Sequence, residues 1–496
     1  MPRADQVTPD GVDPAGDVLD TPQAGPLALR GSGLRVASYG GGMLLALVSA
    51  PLLIRHLGQD GFGHYVTALS IATIAIGLTE GGVNTIALRE YASRTGAERD
   101  AAMSSMLGIR MLLSAIGLVA AVAFAAGAKY DGAIVAGTAV AAVGLTIQVV
   151  GTLLLVPLQG MMRLGSVAAI DLLRNALTTV LVVAVVLAGA GIVPLLAVLA
   201  PASLVALIVT ARLVRGAMPL RPQMRVATYG PLLRETFPFA IAIALNSVYF
   251  RVTVVVVSLA ATELETGYFS TSFRVVEVII ALPVLVIGAA YPIVTRAYRD
   301  DADRFVYGVR RMFELSLIVG GGVALLLVLG ARFATDVLGG AEAAPAAAVL
   351  RIQGLALIGT FVAVACGFPL LVMGRYRSLL VANALGLLVT LVTAIVLVGP
   401  YGARGAAVAT VAAEIALALA TTWALARARP DLKLPLAGVP IVLAAGGAGV
   451  GAGRLLGIHP VVDAAVGLLV YGAALALLGR FPPEVAHAFR RGPAVD

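Results

Sequence analysis

From Leu34 to the C-terminus the sequence is dominated by continuous apolar runs, each about as long as the roughly 20 residues an α-helix needs to cross 30 Å of hydrocarbon. A single run of this kind is compatible with a buried core helix, but a whole chain of them is not. The chain has 496 residues, of which 59% are hydrophobic and 12% charged, and its mean hydropathy is +0.97. Soluble domains are about half apolar and one quarter charged, so no aqueous fold of this length would bury so much apolar surface. Membrane β-barrels are excluded as well, because their strands are about 10 residues long and alternate in polarity. The sequence therefore predicts an all-α polytopic membrane protein, since helices satisfy their own backbone groups in lipid.

The runs place about fourteen helices, at 34–57, 64–88, 104–128, 132–157, 167–189, 192–214, 237–260, 267–291, 312–333, 347–373, 378–399, 402–426, 436–457 and 461–480. Charge tests this count. With the N-terminus inside, 26 of the 35 basic residues fall in the tails and alternate connections assigned to the cytoplasm. Six fall in the opposite connections and helix rims (Arg55, Lys129, Arg332, Arg351, Arg404, Arg454), and three lie within spans (Arg110, Arg251, Arg274). This is the positive-inside distribution, and one missed helix would invert every later connection. It predicts a multi-pass protein of the cytoplasmic membrane with both termini cytoplasmic. The net charge of +8 is thereby a topology signal, and no nucleic-acid partner is expected.

Residues 1–32 are rich in Pro, Gly and Asp without an apolar core and read as a disordered cytoplasmic tail. The arginine-rich segment 215–236 reads as a cytoplasmic linker between an N-lobe at 33–214, helices 1–6, and a C-lobe at 237–426, helices 7–12. Helices 13 and 14 occupy 436–480, and 481–496 form a cytoplasmic C-tail. Both six-helix sets start from the same side, so a repeat relating them would have its axis along the membrane normal. Helix 2 opens with GHYVTALSIA at Gly63 and helix 8 with GYFSTSFRVV at Gly267, a short match in Gly, aromatic and small hydroxyl residues.

Charges inside a span cost roughly 2.5–3.5 kcal/mol each on insertion scales, so they mark cavities or partners. Arg55, Arg251 and Arg274 all fall in the outer third of the bilayer and are candidates for one cationic pocket suited to a diphosphate, which guanidinium grips through paired hydrogen bonds. The plainer readings are an interfacial anchor for Arg55 and an i,i+3 pair with Glu277 for Arg274. Arg110, near the cytoplasmic end of helix 3, is expected to snorkel to the surface. Glu80 and Asn84 share a face of helix 2, and Glu414 sits midway through helix 12; these carboxylates are candidates for proton or Na⁺ coupling, or for pairing with a neighbouring arginine. Asn246 and Tyr249 on helix 7 are polar groups for substrate or for helix-to-helix bonding.

Cys366 is the sole cysteine, none of His56, His64, His459 and His487 lies deep in a span, and no Walker motif is present. No metal site, cofactor or enzymatic activity is therefore expected.

The stretch PLLIRHLGQDGFGHYVTALSIATIAIGLTEGGVNTIALREYA (Pro51 to Ala92), the helix 8 stretch beginning GYFSTSFRVVEV, and YGARGAAVATVAAE (Tyr401 to Glu414) resemble the polysaccharide-transporter branch of the multidrug/oligosaccharidyl-lipid/polysaccharide exporter superfamily. The resemblance implies two six-helix lobes around a central cavity plus two C-terminal helices. It implies a flippase moving undecaprenyl-diphosphate-linked oligosaccharides outward by alternating access, with membrane lipids, a polysaccharide polymerase and glycosyltransferases as partners. It is also similar to lipid-linked-precursor flippases in which the last two helices form a groove for the lipid tail, and by position it matches Arg55, Arg251 and Arg274 to the cavity lining. Here Thr253 and a run of valines follow Arg251, where family members often carry an acid. Two other readings stand beside it: a cation-coupled multidrug exporter, which would lean on buried carboxylates, and a membrane scaffold for cell-wall assembly that no longer transports.

Overall fold

The computed structural model describes residues 24–80, 82–223 and 247–479, together with 241, 244 and 245. Residues 1–23 of the expected tail, most of the expected linker, the expected C-tail and Asn246 lie outside the described residues. Among those described there is no strand, only the isolated bridge Arg215–Met218.

In chain order the helices are α1 Ala24–Leu78, α2 Val83–Ser93, α3 Gly96–Gly127, α4 Gly132–Leu154, α5 Val156–Gly160, α6 Leu164–Leu187, α7 Ile192–Ala197 and α8 Leu199–Leu213. They continue with α9 Ser247–Ala260, then α10 Glu263–Asp300, α11 Ala302–Gly339, α12 Ala346–Val372, α13 Tyr376–Ala428, α14 Gly438–Leu456 and α15 Pro460–Leu477. Among the described residues, eleven segments are long and apolar enough to cross a membrane. Two of them are hairpins in disguise. Both α1 and α13 pass a glycine with left-handed φ, Gly58 (φ 68°) and Gly402 (φ 53°), where the chain turns back. Splitting these, and adding the shorter α9, accounts for fourteen passes.

The element boundaries depart from the sequence reading in informative ways. α1 begins at Ala24, inside the segment read as tail. α3 begins at Gly96 and α10 runs on to Asp300, so both project past the apolar stretches that marked them. A helix leaving the bilayer needs no apolar surface, and the polar GAERD opening of α3 reads as a loop. The second pass breaks after Leu78 and resumes at Val83: the Thr79 hydroxyl caps the Ala75 and Ile76 carbonyls, and Gly82 takes a left-handed conformation. The GG pair at 81–82 was the signal for this break.

Small residues carry the packing, as expected where lipid tails are as apolar as the helices and van der Waals fit decides association. The cluster joining the two lobes combines Ile54, Phe62 and Val66 of α1 with Phe269 and Phe273 of α10, and with Val398, Ala403 and Ala406 of α13. A methyl placed on Gly63 would meet the Gly267 nitrogen at 2.9 Å, and one on Gly267 would meet the Gln59 carbonyl oxygen at 2.2 Å. The two glycines that the sequence comparison pairs thus lie against each other where the lobes meet. α14 and α15 pack on the outside of α11, where the Tyr471 hydroxyl donates to the Ile318 carbonyl at 2.7 Å.

Candidate functional site

Among the described residues, three polar clusters lie inside the spans. The first is built on α9 and α10. Arg274 and Glu277, one turn apart on α10, are joined by a 2.8 Å bond from Nη1 to Oε2. The other carboxylate oxygen accepts from Nη2 of Arg251 on α9. One carboxylate therefore holds two guanidinium groups, leaving a net positive charge. The Arg251 guanidinium lies 5.5 Å from the centre of the Phe273 ring, and Tyr65 of α1 is within electrostatic reach of all three charges. The cluster thus faces both lobes.

The second cluster is centred on Glu414 in the second half of α13, which is only 4% exposed. The Tyr249 hydroxyl donates to its Oε1 at 2.6 Å, and the Thr360 hydroxyl of α12 donates to its Oε2 at 2.9 Å. A cavity of about 380 Å³ opens beside it, with walls that are mainly apolar (Phe250, Ile280, Leu417) and with Asn383 as a further polar group. Tyr249 and Arg251 are two residues apart on α9, so this helix carries one contact to each cluster. Glu277 of the first cluster lies one turn from Ile280, which lines the cavity.

The third cluster is in the N-lobe, at the break in the second pass. Asn84 Nδ2 donates to Thr152 Oγ1 at 3.2 Å and lies 3.4 Å from Glu80 Oε1. Arg110 Nη1 donates to the Glu80 carbonyl at 3.1 Å, which caps the broken helix end. Arg110 is 1% exposed and does not snorkel. The physical reason is its partner: the guanidinium turns inward to the Glu80 carbonyl exposed by the break in the second pass, rather than outward along α3. Its Nε and Nη2 have no partner among the described residues.

The arrangement unites Arg251, Arg274 and Glu277, and separately Tyr249 with Glu414, and Glu80 with Asn84. Arg55 has other partners: it is exposed, and Nη2 donates to the Val337 carbonyl at 2.9 Å and the Asp336 carbonyl at 3.3 Å, at the C-terminal end of α11. A cation there complements the helix dipole. Thr360 and Thr152 were missed in the sequence, because a threonine in an apolar helix usually bonds back to its own backbone and carries no distinguishing mark. Among the described residues no group of three or more His, Cys, Asp or Glu is placed to hold a metal.

Solved structures that share this fold include the following three. Lipid II flippase MurJ in an inward closed conformation superposes with a TM-score of 0.76 at 14% identity, covering 90% of this chain and 99% of that one. An inward-facing multidrug resistance transporter of the MATE family, in the MOP superfamily, gives 0.58 at 16% identity over 79% of this chain and 95% of its own. A MOP-superfamily transporter from Pyrococcus furiosus, described as having a binding pocket of reverse polarity, gives 0.54 at 16% identity over 82% and 94%. No curated protein matches the chain in sequence. A family model described as "Polysaccharide biosynthesis protein" matches residues 28–298, more than half of the chain and spanning all of the first and third clusters, and so this protein belongs to that family, as a membrane protein with the fold that these solved structures share.

Proposed function

We propose that this protein is a flippase that carries undecaprenyl-diphosphate-linked oligosaccharides across the cytoplasmic membrane for surface polysaccharide assembly. The observation that carries the reading is the pair of guanidinium groups of Arg251 and Arg274 held on the single carboxylate of Glu277. A diphosphate diester brings two negative charges and several acceptor oxygens, and displaces Glu277 as partner to both arginines. Glu277 then acts as a placeholder: it is a partner to both guanidinium groups in the membrane while no substrate is bound, offsetting one of their two charges, and takes them back on release. Such exchange suits alternating access, which needs binding strong enough to load and weak enough to release. Arg55, engaged at the end of α11, acts in this scheme on closure of the lobes rather than on the diphosphate.

Glu414 is the residue we assign to coupling, since a buried carboxylate flanked by two hydroxyl groups and a cavity is suited to exchanging a proton or Na⁺. Glu80 and Asn84 are a secondary polar site in the N-lobe. A polymerase and glycosyltransferases are the expected neighbours in the pathway, and both chain termini are expected on the cytoplasmic side.

The test is reconstitution. Proteoliposomes should expose a fluorescent undecaprenyl-diphosphate glycan on the opposite leaflet, and Arg251→Gln or Arg274→Gln should abolish this while leaving protein incorporation unchanged. Retained flipping in both variants would overturn the assignment. The largely apolar cavity beside Glu414 favours a second reading, a cation-coupled exporter of hydrophobic cations; extrusion of a cationic dye, without glycan exposure, would decide for it.

A further inference from the structure

A groove of about 730 Å³ runs between the two halves of α13 on the face turned away from the Glu414 cavity. Its walls are apolar, including Val381, Leu385 and Leu419, and one end is ringed by Arg375, Arg377 and Arg427. Trp423 stands beside this end, 65% exposed, with the Arg427 guanidinium 5.6 Å from its ring centre.

We propose that this groove is a binding site for an anionic phospholipid of the leaflet that the three arginines face, the inner one by the charge asymmetry of the connections. Four observations fix the occupant. The first is charge complementarity. All three arginines are exposed, and none makes an ion pair with a described acidic side chain. The second is that Arg375 and Arg377 sit at the very start of α13, a helix end whose first turn contains no acid and whose free N–H groups favour an anion. The third is shape: a concave apolar channel below a cationic rim accepts an acyl chain and a phosphate together, the pattern by which basic pockets between membrane helices hold anionic head groups. The fourth is Trp423, whose amphipathic ring belongs at head-group depth.

The groove and the Glu414 cavity use opposite faces of the same two helix segments. Leu379, Asn383 and Leu417 face the cavity, while Ser378, Ala382 and Ala416 face the groove. This separates the lipid from any route for transported substrate. A head group held by Arg377 at one end of α13 and Arg427 near the other ties the two ends of the hairpin together. The assignment does not depend on the flippase reading.

Trp423 is the one tryptophan in the sequence, which makes the site its own reporter. In vesicles containing the purified full-length protein, brominated phosphatidylglycerol should quench Trp423 fluorescence far more than brominated phosphatidylcholine at equal mole fraction, with a relative binding preference on the order of a hundredfold from three arginines at the surface. The preference should disappear in the triple variant Arg375→Gln, Arg377→Gln, Arg427→Gln. Equal quenching by the two lipids overturns the proposal on the wild-type protein alone, whether or not the variant folds. So does a preference that survives the triple substitution. Relief of phosphatidylglycerol quenching by a comparable mole fraction of undecaprenyl phosphate would also overturn it, assigning the groove to the transported lipid instead.

Discussion

The Tyr249 hydroxyl and the Glu414 carboxylate are 165 residues apart in the chain and 2.6 Å apart in the folded protein. Their bond joins the first described helix of the C-lobe to its last. Hydrogen bonds to charged groups contribute about 1.5–3 kcal/mol, so Tyr249→Phe should lower the thermal unfolding temperature in detergent while leaving Thr360 as the remaining partner. Glu414→Gln keeps an acceptor for one hydroxyl and offers its amide N–H to the other, which then accepts; it should cost less stability, yet it should remove the dependence of transport on a cation gradient. Transport that keeps that dependence in Glu414→Gln would show that coupling lies elsewhere.

Glu277 competes with substrate in the scheme proposed above, which gives its removal an unusual sign. Glu277→Gln should tighten binding of undecaprenyl diphosphate by about tenfold and slow its release, since one charged hydrogen bond to each arginine is freed. Arg251→Gln and Arg274→Gln should weaken the same binding by a similar factor. Titration of each purified variant measures this directly, and weaker binding in Glu277→Gln would refute the placeholder role.

Gln59 of α1 and Thr271 of α10 share a 2.9 Å side-chain hydrogen bond where the two lobes meet. Cys366 is the sole native cysteine, so in the double variant Gln59→Cys, Thr271→Cys the two introduced thiols, which replace side chains in contact, are the pair placed to join. Oxidation should join them and stop transport, and reductant should restore it. Unchanged transport in the crosslinked protein would mean that this end does not open during the cycle.

Gly402 turns α13 back on itself, and the following amide, from Ala403, donates to Glu265 Oε2 at 2.7 Å. A methyl at 402 would meet that oxygen at 2.6 Å and would also hold an L-residue at φ 53°, ψ −135°, a sparsely populated backbone region that costs roughly 1–3 kcal/mol. Gly402→Ala should therefore lower the unfolding temperature more than Glu265→Gln, which retains an acceptor for the helix end. Thermal unfolding of the two variants side by side checks the order.

The passes and their number were legible because hydropathy and charge alternation are one-dimensional signals, carried by every loop. The Arg274–Glu277 pair was legible for the same reason: both partners lie on one helix, three residues apart. The partners of Glu414 were not, since Tyr249 and Thr360 come from other helices and nothing local marks them. Arg55 shows a subtler gap. Its acceptors are the backbone carbonyls of residues 336 and 337, and a carbonyl has no identity in a sequence. Arg110 shows the same gap, since its acceptor is the backbone carbonyl of Glu80, and the polar first turns of α3 also hid the eight residues of helix at 96–103.

The meeting of Gly63 with Gly267 has a consequence for how the chain can vary. A methyl on Gly63 would meet the backbone of Gly267, and one on Gly267 the backbone of the turn just before Gly63, so each glycine fills space that the other leaves. Volume there is a shared quantity. A side chain added to either half must be accommodated by the other, so these two positions, more than two hundred residues apart, are free to change only together.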